Sequence, residues 1–167
     1  MTENPPKKDS YQAPREFIRL LKELSPGDRA ILRRADDPQI LAAFWQCLNP
    51  AKKLDEKLSN DICARLIPFA WIMVQQPITG DKPVLKGLGL WLCANKEKIN
   101  LRRIEGLFAS ESVEELTDDL LTIATITKDG EPEIDFGKLY WDLVNFSNPS
   151  NRQKTLRSWA RDFFQIN

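Results

Sequence analysis

The decapeptide INLRRIEGLF, residues 99–108, places Arg102 and Arg103 side by side inside an apolar repeat. A guanidinium offers several N–H donors in a planar fork, which pairs bidentately with phosphate or carboxylate. At about 100° per residue, Leu101, Ile104, Leu107 and Phe108 gather on one side of a helix, with Ile99 just ahead of them. Arg102 then falls nearly opposite that side and Arg103 on a flank. Gly106 sits between them as a gap where another backbone can come close. The same geometry applies to GDRAILRRA, where Ile31, Leu32 and Ala35 define the buried side, Arg33 lies opposite, and Arg29 and Arg34 take the flanks. In RQKTLRSWARDFF, Leu156, Trp159, Ala160 and Phe163 form the inner face and Lys154, Arg157 and Arg161 an outer stripe. Outward charges on a helix ordinarily serve solubility. Arginine is preferred over lysine where phosphate is bound, however, and these clusters have few neighbouring acids. The pattern points to a phosphate backbone. The candidate nucleic-acid-binding residues are Arg29, Arg33, Arg34, Lys86, Arg102, Arg103, Lys154, Arg157 and Arg161.

Other chemistry finds little support. The chain has no histidine, which removes the commonest general base, the usual catalytic triads and most transition-metal sites. There is no Gly-rich phosphate loop and no Ser or Cys nucleophile with a recognisable base. No catalytic residue, metal site or cofactor is expected. The acids Glu114, Glu115, Asp118 and Asp119 suit the exposed face of a helix that Ser112 caps, with negative charge near its positive end. A metal-dependent nuclease built on residues 111–119 is the weaker alternative. The five tryptophans, Trp45, Trp71, Trp91, Trp141 and Trp159, fall on apolar helix faces and read as core. Cys47, Cys63 and Cys93 sit among apolar neighbours with no CxxC spacing, and are expected to be buried, reduced thiols, as in a cytoplasmic protein.

The elements that hold these groups are helices throughout. The 167 residues suffice for one domain or two small lobes, and about two fifths of them are hydrophobic. Basic and acidic residues balance at 24 each but segregate: residues 82–103 are basic, 111–135 acidic and 152–161 basic. Such asymmetry suits separate surfaces with a polyanion or an acidic protein as partner. A first helix starts near Arg15, with Phe17, Leu20, Leu21 and Leu24 at i, i+3, i+4 and i+7. Ser25 before Pro26, Asp37 before Pro38 and Asn148 before Pro149 are cap-plus-proline helix starts, and Asn100 and Asp135 are further caps. The helix after Asp37 is expected to stop at Asn49–Pro50, and Pro68 to kink or divide a helix over 58–75. Gly87 and Gly89 weaken the next helix but allow close packing or a partner's approach. The expectation is an all-α protein of about eight or nine helices in two small packed bundles. Residues 1–14 form a flexible tail, polar and unlike a signal peptide. Residues 15–76 form an N-terminal lobe, 77–83 a loop, and 84–167 a C-terminal lobe. No apolar run reaches the roughly 20 residues of a membrane span.

The order GDRAILRRADDP, FWQCL, INLRRIEGLF, DLL, IDFGKLYWDLVNF and RQKTLRSWARDFF resembles the CasB family, the small subunit of the type I-E CRISPR surveillance complex Cascade. The resemblance runs over residues 15–164. It implies a non-catalytic, all-helical subunit that acts in antiviral defence. Its implied partners are the other Cascade subunits, a second copy of itself, and guide RNA and target DNA through their backbones, with the R-loop stabilised as it forms. Within it Arg33 and Arg34 match an early arginine pair and Arg102 and Arg103 a later one. The stripe from Lys154 to Arg161 matches less closely. The zero net charge departs from a typical nucleic-acid protein. The alternative from another class is a helical adaptor whose basic faces dock acidic proteins.

Overall fold

The computed structural model describes residues 12–74, 87–127 and 134–165. Nine α-helices lie among them: α1 (Gln12–Glu23), α2 (Pro26–Arg34), α3 (Ala42–Leu54), α4 (Asn60–Val74), α5 (Leu88–Ala94), α6 (Leu101–Phe108), α7 (Val113–Ile126), α8 (Phe136–Val144) and α9 (Pro149–Phe164). Short 3-10 turns occupy Pro38–Ile40 and Lys96–Lys98. The protein is all-α, with no strand among the described residues.

Most helix starts follow from their caps. The Ser25 hydroxyl accepts the Asp28 N–H at 3.2 Å, and the Ser112 hydroxyl accepts that of Glu115 at the same distance. One Asp135 carboxylate oxygen accepts from Gly137 and Lys138, and the Asn148 amide oxygen accepts from Ser150 and Asn151. Each side-chain oxygen satisfies donors that the first helical turn leaves orphaned.

Three starts and stops differ from the pattern reading. The first helix begins at Gln12, not near Arg15, because Ala13 and Pro14 are themselves buried. Asp37 caps the 3-10 turn, and α3 starts separately at Ala42. Pro50 does not end α3, which runs on to Leu54. Proline frees the carbonyl four residues back, here that of Gln46, and both residues lie on the exposed side where water can reach that carbonyl. The fully buried Ala51 just beyond holds the next turn to the core. Pro68 likewise stays inside one continuous α4, whose neighbours Ile67, Phe69, Ala70 and Trp71 are fully buried.

The buried side chains form one contiguous hydrophobic cluster. Helix α4 packs against α1, α2, α7 and α8. Phe69 sets its ring edge-on to Trp91 of α5 and Phe136 of α8, at 6.0 and 5.6 Å. Phe17 of α1 meets Phe44 of α3 at 6.1 Å. The Tyr140 hydroxyl accepts the Ser59 N–H at 2.8 Å and donates to the Lys57 carbonyl at 3.2 Å, which ties α8 to the turn before α4. Burial pushes the Tyr140 phenol up to about 12.

Gly89 has the packing role open to it in sequence. A Cβ there would lie 2.7 Å from the Asp162 Cβ and 2.8 Å from the Trp159 Cα, so α5 and α9 approach to a distance only glycine permits. Trp71, Trp91 and Trp159 are fully buried, and Trp45 and Trp141 partly so. All three cysteines are buried and unbridged. Burial raises the Cys47 thiol to about 11 and that of Cys63 to about 12, which keeps both in the unreactive thiol form.

Candidate nucleic-acid interface

Helix α6 begins at Asn100, whose side-chain oxygen accepts the Arg102 N–H at 2.8 Å. Ile104 and Leu107 are completely buried, and Ile99 just ahead of the helix is buried as well. Arg102 and Arg103 are both exposed. A Cβ on Gly106 would meet nothing within 4 Å, so the space beside the two arginines is open. The expected ridge with a gap is present. Leu101 differs from its expected place: it is 51% exposed, because the first position of so short a helix overhangs the core.

Helix α9 is fixed from below by Trp159, which stacks on Phe146 at 6.4 Å, and by Phe163, whose ring meets Phe108 of α6 edge-on at 6.1 Å. Lys154, Arg157 and Arg161 are exposed along its outer face. Arg152, in the first turn, donates to the Glu111 carbonyl at 2.8 Å and ties α9 to the connection that leads into α7. The α6 and α9 clusters thus share one packed unit. Helix α2 stands on α3 and α4, with Arg33 and Arg34 exposed and Arg29 half-buried. Ile31 is 55% exposed rather than inward-facing, since α2 reaches the core mainly through Leu32. Lys86 lies outside the described residues. Lys96 and Lys98, exposed on the turn directly before α6, extend its basic strip. The charge excess of residues 82–103 is the signal that finds them.

Electrostatic surroundings divide the arginines. Arg15 pairs with Asp135 at 3.0 Å, Arg19 lies between Glu16 and Glu23, and Arg65 bridges Glu114 at 2.9 Å and Asp61 at 3.7 Å. Arg34, Arg102, Lys154, Arg157 and Arg161 form no ion pair among the described residues. Arg103 is close enough to Asp119 of α7 to act on its carboxyl. Burial holds that carboxyl above the usual range, Asp118 and Glu115 add to the effect, and Arg103 opposes it. No group of three or more metal-ligating side chains occurs among the described residues, and none of their helices is long and apolar enough to cross a membrane.

A set of outward arginines on rigidly anchored helices fits a polyanion. The family model for CRISPR-associated protein Cse2 matches residues 28–164, most of the chain. This chain belongs to the Cse2 family. The Cse2 fold extends to solved structures at low identity. A chain of the E. coli Cascade crystal structure, a complex bound to a PAM-containing double-stranded DNA target, matches with a TM-score of 0.64 at 20% identity. That match covers 90% of this chain and 95% of the other. CasB of M. ruber matches at 0.65 and 20% identity over 93% of both chains. A Cse2-family protein of Thermus thermophilus matches at 0.61 and 21% identity, over 93% of this chain and 99% of that one. No curated protein matches the sequence. The CasB resemblance read from the motifs and the all-α architecture are both borne out.

Proposed function

We propose that this Cse2-family chain is a non-catalytic clamp on the sugar–phosphate backbone within a CRISPR RNA-guided surveillance complex. Family membership makes it the small subunit of such a complex. The relevant surface comprises Arg102, Arg103, Lys154, Arg157 and Arg161, with Arg29, Arg33 and Arg34 as a second group and Lys86 as a further member. The first group lies on α6 and α9 and the second on α2. They serve to hold the strands that separate when guide RNA pairs with target DNA. A second copy of the chain continues the basic track, and the work takes place in the cytoplasm.

One observation carries this reading: Arg102 is exposed and without an ion pair, among the described residues, on a helix whose opposite side is completely buried. The backbone that carries it is set before a ligand arrives, so binding has only the side chain to order. Phosphate contacts release counterions, which makes affinity steeply salt-dependent and nearly indifferent to sequence. Replacing Arg102 and Arg103 together by Ala is expected to leave the fold intact, since exposed substitutions usually shift stability by less than about 0.5 kcal/mol. Target-DNA binding by the assembled complex should weaken alike for every sequence. The salt slope should flatten by about one unit per lost phosphate contact. The measurement is that slope in wild type and double variant, with circular dichroism as folding control. An unchanged slope in a folded and assembled variant would return the pair to ordinary solvation.

A further inference from the structure

Arg102 and Arg103 are neighbours in sequence but stand in different surroundings. Arg102 lies opposite the Ile104 and Leu107 side of α6, next to the open space at Gly106. Arg103 lies about 100° further round the helix. Residues 109–112 connect α6 to α7, and the two helices pack on one another. Measured from that short connection at about 1.5 Å per residue, Arg103 is roughly 7.5 Å along α6 and Asp119 roughly 9 Å along α7. The two side chains therefore stand at nearly the same level of a helical hairpin. Asp119 is half-buried beside Leu116 and Leu120, which belong to α7's buried stripe, so it sits at the edge of that stripe and not on the open face. Arg103 and Asp119 act on each other electrostatically without closing a direct ion pair among the described residues. The other charges around Asp119 are accounted for. Asp118 and Glu115 repel it from the same helix, and Glu114 is taken up by Arg65 of α4, which also reaches Asp61.

We propose that Asp119 of α7 competes with phosphate for Arg103, so that Arg102 is the standing backbone contact and Arg103 one made only when a well-seated strand displaces Asp119. The proposal rests on the backbone reading above and deepens it. A stray polyanion that meets Arg102 alone gains one contact. A strand aligned along α6 gains the second at the moment it draws Arg103 away from α7. The acidic face of α7 is then a filter against loose nucleic-acid binding, in keeping with a chain whose basic clusters are offset to zero net charge.

Two measurements test it. The first is a carboxyl NMR titration of Asp119 in the full chain. Removing Arg103 in R103A should move the Asp119 midpoint upward, because the attraction that opposes protonation is lost, whereas R102A should leave it in place. The second is target-DNA affinity of the complex assembled with each variant. D119N should tighten binding by roughly two- to fivefold, the scale of one exposed charge interaction. D118N, with the same charge change on the open face of α7, should tighten it less. In an R103A background the D119N gain should fall to that of D118N, the signature of direct coupling between the two positions. A midpoint that R103A does not move, or a D119N gain that persists undiminished without Arg103, overturns the competition and leaves the backbone reading standing. A salt slope unchanged in both R102A and the Arg102 and Arg103 double variant overturns the backbone reading, and the competition with it.

Discussion

Arg19 on α1 and Arg102 on α6 occupy similar positions and end in opposite electrostatic states. Each projects from an amphipathic helix whose other side is buried, by Phe17 and Leu21 in one case and by Ile104 and Leu107 in the other. Arg19 is held between Glu16 and Glu23, three residues before and four after it, which are its natural neighbours on a helix surface. Arg102 has Ile99 and Gly106 at those two spacings, and Glu105, three residues after it, forms no ion pair with it. An exposed arginine is therefore not by itself a binding group. What distinguishes the two regions is whether the surrounding surface already supplies the anion. On α1 it does, and the guanidinium is occupied internally. At Arg102 and along the outer face of α9 no ion pair forms among the described residues, and the charge stays available to a ligand.

The largest expected effect comes from breaking the scaffold that supports the unpaired group. Gly89→Val would drive a side chain into the backbone of Trp159, and α5 and α9 would have to separate. Overpacking of this kind costs about 1–3 kcal/mol or more, since the obstructing atoms are backbone and cannot rotate away. Urea denaturation should show the loss, and target-DNA binding should fall with it because the α9 stripe and Phe163 move together. Wild-type stability in this variant would mean that the α5–α9 contact is looser than described.

Next in size is the Arg102 and Arg103 double alanine variant, whose flattened salt slope removes the unpaired arginines without touching the core. A sharper version makes α6 resemble α1. Gly106→Glu places an acid four residues after Arg102 and three after Arg103, where the structure leaves open space. Helix stability should rise by about 0.5–1 kcal/mol, because glycine is a poor helix former. Target-DNA affinity should nevertheless fall. Thermal unfolding and binding measured on the same variant would thus move in opposite directions. A variant that is both more stable and equally tight would break the comparison, since pairing would then not be what decides availability.

The smallest expected effect is on the α1 side. Arg19→Ala should leave the salt slope of target-DNA binding unchanged, because that guanidinium is already occupied. A slope change equal to that of the double α6 variant would show that internal pairing does not withdraw an arginine from the surface.

Much of this was legible in the residues alone. Ser25, Asn100, Ser112, Asp135 and Asn148 each cap the helix they precede, because a cap is a local contact between a side chain and a backbone two or three residues away. The outward arginines of α6 and α9 were legible for the same reason: a helix period places them once its buried side is known. Less local features were not. Pro50 reads as a stop and Pro68 as a kink or division, yet both helices continue through them, as burial of Ala51 and of the residues around Pro68 outweighs one lost hydrogen bond each. Ile31 and Leu101 read as core, yet they are exposed, since apolarity says that a residue tolerates burial but not that a neighbour exists to bury it.

Sequence by itself determined the helical class, the caps, the three basic clusters and the family motif order, all properties of neighbours along the chain or of composition. Tertiary structure decided which of those charges remain available. Arg15 meets Asp135 across 120 positions, Arg65 meets Glu114 from another helix, and Asp119 comes within electrostatic reach of Arg103 only because α7 packs on α6. Coulombic attraction depends on separation in space, so no spacing rule along the chain can foretell a partner that folding brings in from elsewhere.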